Sequence, residues 1–444
     1  MMNAISSSWG ANSQLPSTQT VRTTIPAVLH QHAESSAALR QTRSVVVRAP
    51  HVKLHHLRRL DDRIEAHLDG LMVAGPDGWK VALAALESPR EGEVFTVAVL
   101  ALHARDDDGL DKLLSVAETL PAAFKGVVSA FGWVSTRSLR GVVSSLLASA
   151  NPFCRRIGLA SCLMHGVDPG TVLDRSLADL DSNLRALSFR VAGELGRRDL
   201  LRECLEALAS DDAKCRYQAA RSSLLLGDRS SSITTLHELA LSSKPHQSDA
   251  LSILLKVTSA AESRSLLAAL STESSHVRSV IRGVGMAGDP HYIPWLIGKM
   301  SDLKLARLAG ESFSLVMGLD LAYLDLEGRS PVGVEPSPSD DPTDDNVALD
   351  EDENLPWPDA EKISAWWQSN GMRFMPGSRY FMGEIPTPES CRGALRAGFQ
   401  RQRRTAAEYL SLLVPGAPLF NTLAPAWRQQ RLLGIDTRRV TVAP

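Results

Sequence analysis

The chain has 444 residues, few aromatic side chains, five cysteines and almost no net charge. Aromatic residues make up 5% of it, which fits helical layers filled by Leu and Ala. A net charge of −2 excludes a global electrostatic attraction to nucleic acid or to an anionic membrane. No apolar run approaches the roughly 20 residues that span a bilayer. We therefore expect no nucleic-acid binding and no membrane insertion.

The N-terminus also lacks the apolar core of a signal peptide, because residues 1–20 are rich in Ser, Asn and Gln. The cysteines are odd in number and scattered: Cys154, Cys162, Cys204, Cys215 and Cys391. Such spacing favours buried thiols in a reducing compartment over a disulfide framework. The expected location is the cytoplasm.

No catalytic motif stands out, and the candidate metal ligands lack a complete set. His51 and His55 are four residues apart, but no further ligand pattern accompanies them. Residues 341–346 lack the Gly and the terminal Glu of a calcium loop. We therefore predict no enzymatic activity, no catalytic residues, no metal and no cofactor.

What the sequence does contain is a repeat of about 30 residues. The stretches CRRIGLA from 154, LRALSFR from 184 and CRYQAAR from 215 each begin with an apolar residue followed by Arg. The arginines that share this position, at spacings of 30, 31, 62 and 29 residues, are Arg155, Arg185, Arg216, Arg278 and Arg307. Each unit closes with a glycine, namely Gly166, Gly196, Gly227, Gly288 and Gly318. A fixed period of this size is typical of a stacked array.

One unit, residues 181–211, reads as two antiparallel helices of about three turns each. Asp181 offers a side-chain oxygen to the helix start, and Gly196 can end the helix in the left-handed conformation. One apolar face follows the helical period through Leu184, Leu187, Val191 and Leu195. A second helix begins at Asp199. Because such a pair cannot cover both of its apolar faces, neighbouring units must stack. The predicted fold is all-α, an α-solenoid of stacked antiparallel helix pairs with helical caps at both ends.

Composition divides the chain into five ranges. The predicted ranges are a disordered tail 1–24, an N-terminal helical cap 25–91, the repeat array 92–330, an acidic Pro-rich loop insertion 331–356 and a C-terminal helical cap 357–444. The insertion carries nine acids and no Lys or Arg, so we expect it to be solvated.

The repeat pattern, with GDP at 288–290, resembles the HEAT-like repeats named after phycobilisome lyases. Segments that resemble an uncharacterised family of bacterial HEAT-like repeat proteins are AHLDGL at 66–71, GEVF at 92–95, ELGRRDL at 194–200, VALD at 347–350, LPWPD at 355–359 and QRQRR at 400–404. This resemblance covers nearly everything after residue 25. Genes of that family are commonly found beside type VI secretion components and their cargo. The resemblance implies a protein-binding scaffold, adaptor or chaperone for secretion machinery or effectors, and it carries over no catalytic residue.

Two other functions stay open at this point. An effector-neutralising immunity protein would have the same architecture. An enzyme acting on nucleic acid or a tetrapyrrole is a further alternative, because HEAT-like repeats also occur in DNA glycosylases and bilin lyases. The identity of the partner, the binding face and the oligomeric state stay open as well.

Two sets of charged residues are candidates for partner binding. The arginines of the repeat could form a basic stripe for an acidic partner, or a ladder of ion pairs with Asp181 and Asp211. The acids of the insertion that could contact a partner, or the Arg-rich helix at 392–404, are Asp344, Asp345, Asp350 and Asp352. The aromatic residues of 357–381, which include Trp366 and Trp367, could form a recognition patch or the core of the C-terminal cap.

Overall fold

The computed structural model describes residues 24–242, 245–331 and 350–435, and within these ranges the chain is helical and contains no β-strand. The predicted tail 1–24 lies outside the described residues except for Thr24. In chain order the α-helices are α1 Pro26–Val46, α2 Leu54–Val73, α3 Pro76–Ala84, α4 Glu91–Ala104, α5 Asp107–Thr119, α6 Pro121–Trp133, α7 Val142–Ala148, α8 Pro152–His165, α9 Thr171–Ser176, α10 Ser182–Leu195, α11 Leu201–Glu206, α12 Ala213–Leu226, α13 Ser231–Leu241, α14 Gln247–Leu254, α15 Ala260–Ser271, α16 Val277–Ala287, α17 Ile293–Lys299, α18 Ala306–Met317, α19 Ala360–Asn370, α20 Pro388–Ala397, α21 Gln400–Leu413 and α22 Ala426–Leu432.

Two compact units share the chain, and each takes segments from more than one part of it. The first unit comprises Met1–Val46, His55–Ser161 and Ala424–Arg428. The second unit comprises Val47–Leu54, Cys162–Leu423 and Gln429–Pro444. The five linear ranges expected from composition stay predictions.

In the first unit, α4 is apolar on every side and is buried from Val94 to Leu102. It packs on α1 and α6. A Cβ at Gly92 would lie 2.3 Å from the Ala37 carbonyl oxygen, so this glycine lets α1 and α4 approach closely. The short segment Ala424–Arg428 is held in the same unit by hydrogen bonds to side chains and backbone of the other two segments.

In the unit predicted at 181–211, the first helix is confirmed at both ends, whereas the second helix is not continuous. Asp181 accepts a hydrogen bond from the Leu184 amide at 2.7 Å and caps α10. The second helix is broken, because 3-10 turns at Arg198–Leu200 and Ala207–Ala209 flank the six residues of α11. The predicted apolar stripe is also incomplete. Leu187 is only half-buried, while Phe189 on another side of α10 is buried, since α10 packs on α12 as well.

The glycines that close the repeats all adopt left-handed backbone angles. Their φ angles are 67°, 76°, 113°, 68° and 74° for Gly166, Gly196, Gly227, Gly288 and Gly318, in that order. They follow the last residues of α8, α10, α12, α16 and α18. Because residues with a Cβ rarely adopt these angles, the glycine spacing in the sequence marks real helix ends.

The C-terminal part of the second unit runs past several of these helix ends. The Tyr380 amide donates to the Gly288 carbonyl at 2.8 Å, and the Leu419 amide donates to the Glu194 carbonyl at 2.8 Å. The last carbonyls of a helix have no partner within that helix, so these bonds satisfy groups that α10 and α16 leave open. A Cβ at Gly196 would lie 2.0 Å from the Gly416 carbonyl oxygen, which shows how closely the segment passes.

Helix α3 begins at Pro76, because proline is tolerated in a first helical turn. None of the helices in the described ranges combines the length and the apolar composition that a bilayer span requires.

Candidate functional site

The repeat arginines lie in the first turns of their helices, and three of them bind backbone carbonyls of the preceding connection. Arg155, in the first unit, donates to the carbonyls of Ser149 and Ala150 at 2.9 and 2.8 Å. In the second unit, Arg185 donates to the Asp179 carbonyl at 2.6 Å. Each guanidinium therefore ties the start of one helix to the turn before it.

Arg216 follows the same pattern and adds a carboxylate. It donates to the Leu208 carbonyl at 3.1 Å and pairs with Glu238. A groove of about 310 Å³ lies beside it, lined also by Ala209, Leu239 and other residues of the same unit. The alternative of an ion-pair ladder with Asp181 and Asp211 is not supported at α10. Asp181 caps that helix, and Arg185 donates to the main-chain oxygen of Asp179.

The last two arginines of the series bind acids from the end of the acidic segment. Arg278 lies 2.8 Å from an Asp352 carboxylate oxygen, and it also donates to the Lys304 carbonyl at 3.0 Å. Arg307 pairs with Asp350, and its guanidinium lies over the ring of Trp357 at 4.7 Å. Residues of two different repeats thus meet one short stretch of chain.

Two arginines that do not belong to the repeat series complete this cluster. Arg282, one turn after Arg278 on α16, pairs with Glu351. Arg401 of α21 donates to the Glu351 carbonyl at 3.0 Å and forms an ion pair with Glu311 at 2.8 Å. We call Arg278, Arg282, Arg307 and Arg401 the arginine cluster, and residues 350–352 the acidic triplet. The four-residue spacing of Arg278 and Arg282 could have indicated Arg282, and Arg401 belongs to the Arg-rich range 392–404 that was a candidate contact for the acids of the insertion.

Electrostatics within this site favour the ionised forms of Asp350 and Glu351. The Arg282 guanidinium holds the pKa of Glu351 below its ordinary value. Burial opposes ionisation of Asp350, but the Asp352 amide and the Arg307 guanidinium outweigh it and lower the pKa of Asp350. The hydrogen bond to Asp352 raises the pKa of Arg278. The pKa shifts of Asp350, Glu351 and Arg278 therefore all favour the charged forms of these three groups.

The acidic segment is predicted to be solvated, but Asp352 near its end is buried. Asp352 is 3% exposed, because its carboxylate bonds to Arg278 and its amide donates to an Asp350 carboxylate oxygen at 2.9 Å. Glu351 in contrast keeps most of its side chain in solvent. The other two predicted acids, Asp344 and Asp345, lie outside the described residues.

A second charged group in the same unit is buried and fully paired. Lys256 forms an ion pair with Glu408 at 2.9 Å, and Arg221 forms one with Glu194 at 2.9 Å. Burial alone would raise the pKa of Glu408, but the neighbouring cations, Lys256 first, lower it to about 2. Because one pair joins α21 to the turn after α14 and the other joins α12 to α10, we assign this group to the packing of the unit.

The aromatic residues of the C-terminal region pack inward. The ring of Trp366 meets the ring of Phe313 edge-on at 6.0 Å and lies 6.4 Å from that of Phe374. Phe381 is 2% exposed, and Trp366 and Trp367 pack against the main apolar core of the second unit. This arrangement favours the core of a cap over a recognition patch.

Within the described ranges, no group of three or more His, Cys, Asp or Glu side chains is arranged to hold a metal ion. The rings of His55 and His56 contact each other edge-on at 4.0 Å. Four of the cysteines are buried, and burial raises the pKa of the Cys204 thiol to about 12. Such a thiol is a poor nucleophile at neutral pH.

No protein-family model matches the sequence, and no curated protein matches it. Among solved structures, the crystal structure of an engineered protein from the Northeast Structural Genomics Consortium is similar to this chain at 11% identity, over 87% of this chain and 98% of that one. The TM-score of the pair is 0.29, at which the similarity carries no information about fold or function. The structure itself defines an all-helical protein with a four-arginine cluster that holds an acidic triplet of the same chain.

Proposed function

We propose that the chain is an α-solenoid that binds other proteins in the cytoplasm, as a scaffold, adaptor or chaperone for type VI secretion machinery or its effectors. The observation that supports the solenoid is the shared register of five helices, each with Arg in its first turn and a left-handed Gly after its last residue. Packing of α10 on α12 and of α16 on α18 fits successive units of one array. The secretion context rests on the sequence resemblance.

The arginine cluster supports a protein partner with acidic character. Guanidinium groups recognise carboxylates through paired hydrogen bonds, and here they already hold three side-chain carboxylates of the same chain. A partner that presents consecutive acidic side chains fits this chemistry. Such a role needs no catalytic residue.

Affinity capture tests the proposal. The tagged full chain is co-expressed with the products of the genes beside its own, and the captured proteins are identified by mass spectrometry. We expect one neighbouring secretion component or effector to co-purify in a defined ratio, and a helical repeat protein of similar charge to capture none. Failure to capture any of them, together with tight salt-sensitive DNA binding or a visible chromophore on the purified protein, would contradict the proposal and support an enzyme. Loss of toxicity of a captured effector would identify an immunity protein.

A further inference from the structure

The arginine cluster gathers positive charge from three elements of the second unit. Arg278 and Arg282 come from α16, Arg307 from α18 and Arg401 from α21. Apart from the acidic triplet, Glu311 is the carboxylate that pairs with this cluster among the described residues. Four guanidinium groups set against one carboxylate repel one another, so the site needs further anions.

The acidic triplet supplies these anions to three of the arginines. Asp350 meets Arg307, and Asp352 meets Arg278. Glu351 meets Arg282 and lies 3.7 Å from Arg278. The match extends to the backbone, because Arg401 binds the Glu351 carbonyl. The triplet therefore shows what kind of ligand the cluster accepts: a peptide turn with consecutive acidic side chains, since the Glu353 amide donates to the Asp350 carbonyl at 3.0 Å.

Two of the three acids are partly exposed to solvent. The side chain of Asp350 is 33% exposed and that of Glu351 is 67% exposed, and the partner of Glu351, Arg282, is 42% exposed. Ion pairs this exposed contribute about 0–1 kcal/mol each, since water and salt screen them. A segment that offers the same acids together with contacts of its own can therefore compete with the triplet.

We propose that the arginine cluster is the docking site for an acidic peptide segment of a protein partner, and that the acidic triplet is the chain's own occupant, which this segment displaces. The inference deepens the proposed function and rests on it only in assigning the peptide to a partner protein. It places the partner on the face formed by α16, α18 and α21. It also predicts that binding is strongest at low salt, because the ion pairs with the partner are exposed and salt screens them.

Fluorescence anisotropy on the purified full chain tests the exchange. The probe is a short fluorescein-labelled peptide that repeats the sequence Asp-Glu-Asp. The double variant Asp350→Asn with Glu351→Gln removes the two exposed competitors and leaves buried Asp352 in place. We expect it to bind the probe about tenfold more tightly than the wild type, the order of one to two surface ion pairs. Adding Arg282→Ala to the double variant should reduce the gain, because the probe then has Arg307 but no longer Arg282 to contact.

Matched controls separate this site from general charge effects. Glu353→Gln removes a neighbouring acid that forms no ion pair among the described residues, and it should leave affinity at the wild-type value. A probe of Asn and Gln should bind none of the variants. If the double variant fails to fold by thermal melting, Glu351→Gln alone should still give a smaller gain.

Three results would overturn the inference. The first is a folded double variant that binds the acidic probe no better than the wild type. The second is a gain that Arg282→Ala does not reduce. The third is an equal gain for a single-stranded DNA oligonucleotide of similar charge, which would make the site a nucleic-acid surface. These measurements use purified protein and synthetic probes. Failed capture of a natural partner would therefore count against the proposed function, but it would not decide whether the arginine cluster binds an acidic peptide.

Discussion

Gly196 and Gly166 share a left-handed backbone but differ in their surroundings. Their φ angles are 76° and 67°. A Cβ on Gly196 would lie 2.0 Å from the Gly416 carbonyl oxygen, while a Cβ on Gly166 would meet no described atom within 4 Å. The pair therefore separates backbone strain from the close passage of the C-terminal segment.

Substitution of the two glycines tests that separation. Gly166→Ala should lose about 1–2 kcal/mol of unfolding free energy, the cost of a left-handed residue with a Cβ. Gly196→Ala should lose clearly more, because the segment at Gly416 must also move away from the end of α10. Urea denaturation of both variants measures the difference. Equal losses would mean that the C-terminal segment adjusts without cost.

The repeat arginines show how far single residues could be interpreted from the sequence. Their common position in a first helical turn follows from the spacing, and the structure bears this out. Their acceptors did not follow, because main-chain carbonyls such as that of Asp179 leave no trace in the residue types. The Arg401–Glu311 pair joins residues 90 positions apart, a separation that no local pattern encodes.

At the scale of helices, the starts and ends were predictable where a side chain or a glycine determines them. Asp181 caps the start of α10, and Gly196 ends the helix, as expected. The broken second helix around α11 was not predictable, because its 3-10 turns contain ordinary helix formers such as Leu200 and Ala207. The course of the C-terminal segment escaped prediction as well, since it is set by backbone hydrogen bonds such as Tyr380 to Gly288.

The contact between α18 and α19 rests on an aromatic cluster and can be tested in the same way. Trp366→Ala removes the edge-on contact with Phe313 and should lower the unfolding free energy by about 2 kcal/mol, below the value for a fully buried ring because Trp366 is half-buried. Met372→Ala, at a side chain that is 96% exposed, should change it by less than about 0.5 kcal/mol. Unchanged thermal stability with lost partner binding in Trp366→Ala would instead identify a recognition patch.

At the scale of the whole molecule, the first unit contains a segment, Ala424–Arg428, that periodicity cannot assign to it. The first unit holds Ala424–Arg428 through Asp61, whose carboxylate accepts from the Ala426 amide at 2.6 Å and pairs with Arg43. Arg428 in turn donates to the Gly132 carbonyl at 3.0 Å. These contacts join positions more than 290 residues apart in the sequence, so they depend on the complete fold rather than on local propensity.

The stability of the molecule should fall in acid because buried carboxylates are ionised in the folded state. Glu408 has a folded pKa of about 2 against an ordinary value of 4.5, since Lys256 and its neighbours favour the carboxylate. A depressed acid pKa contributes stability that is fully present above the ordinary pKa and is lost as pH falls through the folded pKa. For Glu408 this contribution is on the order of 3 kcal/mol and disappears between about pH 4.5 and pH 2.

Glu408→Gln tests this dependence. The variant should be less stable than the wild type at neutral pH, because Lys256 is left buried beside an uncharged amide. Its unfolding free energy, measured by urea denaturation, should then decline less steeply than that of the wild type between about pH 4.5 and pH 2. Some decline remains, since the pKa values of Glu194 and Asp289 are also lowered in the folded protein. Glu353→Gln should keep the wild-type slope. Parallel slopes for Glu408→Gln and the wild type would show that the Lys256–Glu408 pair does not set the acid sensitivity of the fold.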